Sequence, residues 1–218
     1  MHDSVSNLIE IQKEIQSKIN NSINFPEIIA VSKTYPLTNI LPLINFGHLH
    51  FGENKVQETI EKWQNVKSDL DHLKLHMVGG LQTNKVKHAV SIFDYIHSLD
   101  SLKLAEKIAN EQIKQNKKLK IFIQINLGEE NQKSGISIIN AVDFYNKCTV
   151  NFDLDILGFM CLPPNNKHPS KYFSLMNDIS LKSGLKDLSM GMSNDFLEAV
   201  KFRSTFLRIG SRIFGNRN

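Results

Sequence analysis

Short apolar runs alternate with longer amphipathic segments along the whole chain. The runs have the length and composition of buried strands and cover residues 28–32, 49–52, 73–78, 93–98, 121–126, 154–161, 188–192 and 206–210. Apolar residues at helical spacing cover residues 5–19, 56–63, 102–113, 138–147 and 172–181. This alternation predicts parallel β/α units.

The number of runs decides between two architectures. Eight strands, each followed by a helical segment, predict an α/β protein: a single (β/α)8 TIM-type barrel over residues 1–218 with an extra N-terminal helix. An open doubly wound sheet is the alternative. However, the first strand is not followed by a Gly-x-Gly-x-x-Gly turn, and the chain lacks a Gly-Lys-Ser or Gly-Lys-Thr phosphate loop. The sequence therefore favours the barrel.

Composition narrows the classes of function. The 218 residues, 41% of them hydrophobic, can bury the core of one domain. No apolar stretch has the length of a membrane span, and the N-terminus lacks a signal peptide, so we expect a cytoplasmic protein without membrane contact. The net charge of +4 is dispersed, which argues against nucleic-acid binding. Cys148 and Cys161 are too few for a disulfide framework and lack metal-ligand spacing.

Lys33 is the first candidate for chemistry, because it directly follows the apolar run at residues 28–32. An ammonium held among apolar neighbours loses hydration, which lowers its pKa. The neutral amine can then attack a carbonyl carbon and form a Schiff base. A solvated lysine at a strand end is the alternative interpretation.

Phosphate binding is the second candidate, near the other end of the chain. Ser193 precedes a short amphipathic segment and is predicted to be its N-cap. Arg208, Gly210 and Ser211 follow at the end of the last strand and offer a guanidinium, a bare backbone and a hydroxyl. Barrels commonly hold phosphate in the loops after their seventh and eighth strands. A carbonyl compound that carries a phosphate would suit both ends.

Six segments, in order along nearly the whole chain, carry a resemblance to a known family. They are Ala30-Val31-Ser32-Lys33-Thr34, Phe51-Gly52-Glu53-Asn54-x-Val56-Gln57-Glu58, Gly79-x-Leu81-Gln82-x-Asn84-Lys85, Glu130-x-x-Lys133-x-Gly135, Leu188-Ser189-Met190-Gly191-Met192-Ser193 and Arg208-Ile209-Gly210-x-x-Ile213-Phe214-Gly215. These motifs are similar to those of the pyridoxal phosphate homeostasis protein family.

The resemblance implies a barrel like the N-terminal domain of bacterial alanine racemases, with pyridoxal 5'-phosphate held as an internal aldimine on Lys33. It also implies that Arg208 faces the pyridine nitrogen and that Ser193, Gly210 and Ser211 hold the phosphate. The predicted cofactor-binding set is Lys33, Asn54, Lys133, Met192, Ser193, Arg208, Gly210 and Ser211. A permanently charged arginine leaves the ring nitrogen largely unprotonated and weakens the cofactor as an electron sink.

Two positions depart from the family pattern, and one lysine has a separate prediction. Ser211 stands where threonine is usual, which keeps the hydroxyl, and Lys55 stands where many members have tyrosine. Lys55 therefore adds a lysine that could lie near the site. We hypothesise that Lys133 lies at the rim and receives cofactor that leaves Lys33, with a solvated loop lysine as the alternative.

Three functions are compatible with these residues. The resemblance implies a non-catalytic protein that buffers or delivers pyridoxal phosphate, with cofactor-dependent apo-enzymes as candidate partners. We expect a monomer, because the sequence lacks the racemase C-terminal domain that provides that family's dimer interface. An amino-acid racemase would need a second base on the far face of the cofactor, for which Tyr35 is the tyrosine to test. A Schiff-base aldolase would need an acid–base pair that the sequence does not place. His76 and His97 are predicted to be hydrogen-bonded barrel residues, and Cys161 a small buried one.

Overall fold

Eight parallel strands close into a barrel in the part of the chain that the structure, a computed structural model, describes: residues 2–19, 24–128, 134–164 and 168–215. In chain order the described strands are β1 (Glu27–Val31), β2 (His50–Glu53), β3 (Lys74–Met77), β4 (Tyr95–Leu99), β5 (Lys120–Asn126), β6 (Ile136–Ser137), β7 (Asp155–Cys161), β8 (Asp187–Met192) and β9 (Phe206–Ile209). The described helices are α1 (Asp3–Gln16), α2 (Leu37–Asn45), α3 (Val56–Asp69), α4 (Val86–Ile92), α5 (Leu102–Gln115), α6 (Ala141–Phe152), α7 (Pro169–Ser183), α8 (Phe196–Lys201) and α9 (Ser211–Phe214).

The barrel closes where the first strand meets the last. β1 pairs with β2 on one side and with β9 on the other, and Ile29 lies opposite Arg208 in that second pairing. The remaining strands follow in the order β2, β3, β4, β5, β7, β8 and β9, and each pairs in parallel with the next. The predicted (β/α)8 barrel with an N-terminal helix is confirmed.

One strand was not predicted from the sequence. β6 has two residues and pairs with the end of β5, outside the closed barrel. The preceding residue, Gly135, has φ of +126°, and a Cβ there would lie 2.7 Å from the backbone nitrogen of Asn126. Only glycine fits this approach. Two residues are too few to show a strand periodicity, which explains why the sequence does not reveal β6.

The extra helix α1 packs on the end of the chain. Its buried face consists of Val5, Leu8, Ile11 and Ile15. The amide of Asn7 donates to the carbonyl of Ile213 at 3.0 Å, and Glu14 pairs with Arg212 at 2.5 Å. Helix α1 therefore fixes α9, the short helix that follows the last strand of the barrel.

Apolar side chains fill both faces of the strands. The outer layer, between strands and helices, includes Phe51, Trp63, Phe93 and Phe173. A separate cluster fills the barrel interior and consists of Ile29, Val31, Tyr95, Phe122, Met160 and Phe206. Because strands buried on both faces carry continuous apolar runs, the eight strands are visible in the sequence.

The described residues give two further findings. No helix among them is both long and apolar enough to cross a membrane. Cys148 and Cys161 are buried and unpaired, and burial raises the pKa of each thiol to about 12. Both thiols are therefore protonated at neutral pH.

Candidate functional site

A cavity of about 1610 Å³ opens at the carboxyl ends of the strands, where barrels carry their chemistry. It brings together predicted residues from both ends of the chain. The lining contains Lys33, Asn54, Met192, Ser193, Arg208, Gly210 and Ser211. The eighth predicted residue, Lys133, lies outside the described residues. The structure thus places these side chains in one cavity, and their binding of a cofactor stays a prediction.

Hydrogen bonds hold the residues immediately before and after Lys33, at the end of β1. The residue before it, Ser32, donates its hydroxyl to Glu53 Oε1 at 2.7 Å. The residue after it, Thr34, donates its backbone N–H to Glu58 Oε1 at 2.7 Å. Thr34 has φ of +69°, a conformation that a β-branched residue rarely adopts without support. These contacts with side chains of β2 and α3 fix the backbone on both sides of Lys33, and so the direction in which Lys33 projects from the end of β1.

A buried carboxylate anchors this strand end. Glu53 is fully buried, and its Oε1 also accepts from Lys62 Nζ and from Trp63 Nε1, each at 3.0 Å. Lys62 Nζ further donates to the carbonyl of Ser32 at 3.0 Å. A buried charge needs such partners because desolvation is costly. The cluster was not predicted, although the spacing of Glu58 and Lys62 by four residues could have indicated their contact.

Arg208 is 4% exposed and is held by three hydrogen bonds. Its Nη1 donates to the carbonyl and to the hydroxyl of Ser189, each at 2.6 Å, and its Nη2 donates to the carbonyl of Cys161 at 2.7 Å. Burial lowers the pKa of the guanidinium from its ordinary value. That ordinary value is so high that the lowered guanidinium still keeps its charge. The cavity therefore has a fixed positive charge in its wall.

Ser193 is not an N-cap, so that prediction was wrong. The N-cap of α8 is Asp195, whose Oδ1 accepts from the backbone N–H of Met192 at 2.6 Å. A turn in which Asp195 N donates to the carbonyl of Met192 places Asp195, rather than Ser193, at the helix start. The hydroxyl of Ser193 instead faces the end of β9.

The predicted phosphate residues converge around that hydroxyl. Ser193 Oγ accepts from the backbone N–H groups of Gly210 and Arg212, at 3.2 and 3.4 Å. Ser211, between them, is exposed at the start of α9 and lines the cavity. Gly210 lies close to β1, since a Cβ on it would approach the carbonyl of Val31 to 3.3 Å. Because these two N–H groups already donate to Ser193 Oγ, the donors that this arrangement offers to an anion are the hydroxyls of Ser193 and Ser211.

Asn54 supplies an unsatisfied acceptor in the cavity wall. Its Oδ1 is buried and has no hydrogen-bond partner among the described residues. The loop that carries it packs tightly, because a Cβ on Gly79 would lie 2.5 Å from the carbonyl of Asn54. Native proteins rarely leave a buried polar atom unpaired, so this oxygen favours a ligand that donates to it.

Tyr35, Gln124 and Asn126 also line the cavity, whereas Lys55 does not. Tyr35 lines the cavity, but its hydroxyl donates to the carbonyl of Gly215 at 2.8 Å and its ring stacks on Phe214. Lys55 is exposed at the start of α3 and is not among the lining residues. Gln124 and Asn126, at the end of β5, line the cavity although they were not in the predicted set. The sequence signal that could have identified them is the pair of polar residues at the end of an apolar strand.

Comparison with known proteins places this chain in a family. The family model for the alanine racemase N-terminal domain matches residues 7–218. The pyridoxal phosphate homeostasis protein of Aquifex aeolicus is 33% identical over 224 residues, which cover 99% of this chain and 97% of that protein. The protein of that name from Escherichia coli K12 is 31% identical and covers 100% of this chain and 98% of its own length.

Solved structures agree with this assignment. PipY of Synechococcus elongatus PCC7942, solved with PLP bound, has a TM-score of 0.83 at 30% identity, covering 97% of this chain and 100% of PipY. PipY without PLP has a TM-score of 0.85. An alanine racemase of Clostridium difficile, with a TM-score of 0.75 at 16% identity, shares the fold over 57% of its own chain. The chain therefore belongs to the pyridoxal phosphate homeostasis protein family, built on the alanine racemase N-terminal domain.

Proposed function

We propose that this protein binds pyridoxal 5'-phosphate and buffers or delivers it, without catalysing a reaction on it. One observation carries the proposal: Lys33, Arg208 and the group around Ser193 lie in one cavity. The names of the relatives and the PLP-bound structure of PipY support it. Cofactor-dependent apo-enzymes are the candidate recipients.

The residues present fit the chemistry of this cofactor. Lys33 holds it as an internal aldimine: the amine attacks the aldehyde carbon, a C=N bond replaces the C=O bond, and the oxygen leaves as water. Ser193, Gly210 and Ser211 hold the phosphate, and Arg208 faces the ring nitrogen. The unpaired Oδ1 of Asn54 offers an acceptor in the cavity wall to a donor on the ligand. Met192 lines the cavity beside Ser193.

The same residues argue against demanding catalysis. When bound, the cofactor supplies an electron sink, and that property depends on a protonated ring nitrogen. Arg208 keeps its own proton and so leaves the nitrogen unprotonated. Racemisation also needs a second base, and the hydroxyl of Tyr35 is engaged by Gly215. Holding and releasing the cofactor requires neither feature.

The proposal is tested by the visible absorbance of the purified protein with added pyridoxal 5'-phosphate, followed by borohydride reduction and peptide mapping. We expect an aldimine band and one reduced adduct, on Lys33. Lys33→Ala should abolish both, whereas Lys55→Ala, which alters an exposed lysine of the same face, should preserve them. An adduct scattered over surface lysines would refute the proposed anchor. Racemisation of alanine by the loaded protein would refute the non-catalytic part.

A further inference from the structure

Three histidines stand side by side inside the barrel, on the neighbouring strands β2, β3 and β4. His50 Nδ1 lies 2.9 Å from His76 Nε2, and His76 Nδ1 lies 2.9 Å from His97 Nε2. His76 and His97 are fully buried, while His50 is partly exposed. The cofactor-binding residues proposed above do not include them.

Both ends of this histidine row meet a charged side chain. At one end, His97 Nδ1 lies 2.8 Å from Ser189 Oγ, which lies 2.6 Å from Arg208 Nη1. At the other end, His50 Nε2 lies 3.4 Å from Oε2 of Glu27. Glu27 begins β1, so it lies at the end of the barrel opposite the cavity. The row thus connects the two ends of the barrel.

Arg208 fixes the direction of every bond in the row. A guanidinium only donates, so Ser189 Oγ accepts from Arg208 and still has one proton to give, for which His97 Nδ1 at 2.8 Å is the acceptor. A neutral His97 then carries its proton on Nε2 and donates it to His76 Nδ1. By the same rule His76 Nε2 donates to His50 Nδ1, which leaves the Nε2 proton of His50 directed at Glu27.

The opposite direction is unfavourable at both ends. It would place a proton on His97 Nδ1 against Ser189 Oγ, which already accepts from Arg208. The hydroxyl proton of Ser189 would then lose His97 Nδ1, the side-chain acceptor that the described residues place against it. It would also turn the positive ends of the imidazole dipoles toward Arg208 and their negative ends toward Glu27.

The three imidazoles are neutral, as this arrangement requires. Burial is the largest cause that lowers the pKa of His50, His76 and His97 below its ordinary value. For His97 the positive charge of Arg208 lowers the pKa further. The other charged or titratable groups that act on the row are Glu27, His48, Lys67, Lys74, Asp94 and Lys120.

We propose that His50, His76 and His97 are positioning residues: they form a one-directional hydrogen-bond chain that orients Ser189 and, through it, holds Arg208 in the cavity wall. All three carry their proton on Nε2. The tautomers follow from the geometry of the protein alone, whereas their effect on pyridoxal phosphate binding rests on the function proposed above.

The tautomers are measured by long-range ¹H–¹⁵N NMR of the histidine rings in cofactor-free protein. We expect Nε2 protonated and Nδ1 bare in all three at pH 8, and His76 and His97 without titration between about pH 6 and pH 8. A proton on Nδ1 of His97 or His76, or an imidazolium at either residue in that range, would overturn the proposal. This readout does not involve the cofactor, so it separates failure of the chain from failure of the proposed function.

Variants test what orients the chain. Ser189→Ala removes the hydroxyl that, among the described residues, links Arg208 to His97. His97 should then populate both tautomers, and the Kd for pyridoxal phosphate should rise about tenfold. Ser98→Ala, at another buried serine, should change neither, and Glu27→Gln should leave His97 in its Nε2–H form. Unchanged tautomers and an unchanged Kd in Ser189→Ala would overturn the positioning role.

Discussion

At the scale of single residues, the position of Lys33 depends on a neighbour that never enters the cavity. Lys62 reaches from α3 to Glu53 and to the carbonyl of Ser32, and its side chain is only 10% exposed. Glu53 in turn accepts a hydrogen bond from the hydroxyl of Ser32. A charged pair inside the protein therefore supports the strand end that carries Lys33.

Replacing Lys62 should destabilise the protein strongly. Lys62→Met leaves Glu53 as a buried charge without its cation, which we expect to lower the free energy of unfolding by about 3 kcal/mol. Denaturation in urea measures the change. Lys114→Met removes an exposed lysine that pairs with Glu111 and should cost less than about 0.5 kcal/mol. Equal effects of the two substitutions would contradict the role of Lys62.

Lys133 belongs to the same scale, although it lies outside the described residues. If Lys133 receives cofactor that leaves Lys33, as hypothesised from the sequence, Lys133→Ala should slow the release of pyridoxal phosphate to an acceptor apo-enzyme, because the released aldehyde loses a second amine to bind. Stopped-flow absorbance follows the transfer. Lys103→Ala, on the exposed face of α5, is the matched control. A release rate equal to that of the wild-type protein would remove the hypothesis.

At the scale of elements, β6 depends on one glycine. Gly135→Ala would place a Cβ 2.7 Å from the backbone nitrogen of Asn126 at φ of +126°, so we expect a loss of about 2 kcal/mol in the free energy of unfolding. Gly184→Ala places a Cβ on a residue whose φ is +75°, without any neighbour within 4 Å, and should cost about 1 kcal/mol. Thermal unfolding of both variants separates the clash from the backbone strain. A smaller loss for Gly135→Ala than for Gly184→Ala would contradict the predicted clash at Gly135.

The elements also show how far the sequence could be interpreted. The eight barrel strands were predictable because burial on both faces gives each an apolar run. Ser193 was misassigned because Ser193, Asn194 and Asp195 are all good N-cap residues, and only the turn at Met192 selects Asp195. The contacts of Glu53 and the histidine row depend on the register between strands, which no local pattern contains.

At the scale of the whole molecule, buried histidines should make stability depend on pH. Burial lowers the pKa of His48 from 6.5 to about 4, and it lowers those of His76 and His97 as well. Below about pH 6.5 the unfolded chain binds protons that the native protein does not, so stability falls as the pH decreases toward 4. Above pH 6.5 this contribution is complete.

Urea denaturation between pH 7.5 and 5, at roughly half-unit steps, measures this dependence. We expect the midpoint to fall with decreasing pH, and His48→Gln should make the fall shallower. Most carboxylates titrate below this interval, near pH 4, so the slope isolates the histidines. A constant midpoint across the interval would contradict the assignment of neutral histidines in the fold.

The pairing of β1 with β9 has a consequence for how the protein is made. Lys33 follows the first strand and Arg208 lies on the last, and these strands are neighbours only in the closed barrel. During synthesis, a nascent chain that still holds residue 208 in the ribosome has the amine but neither the guanidinium nor the groups around Gly210. Under the proposed function, capture of pyridoxal phosphate thus waits until β9 has left the ribosome and paired with β1, so an occupied cavity indicates a closed barrel.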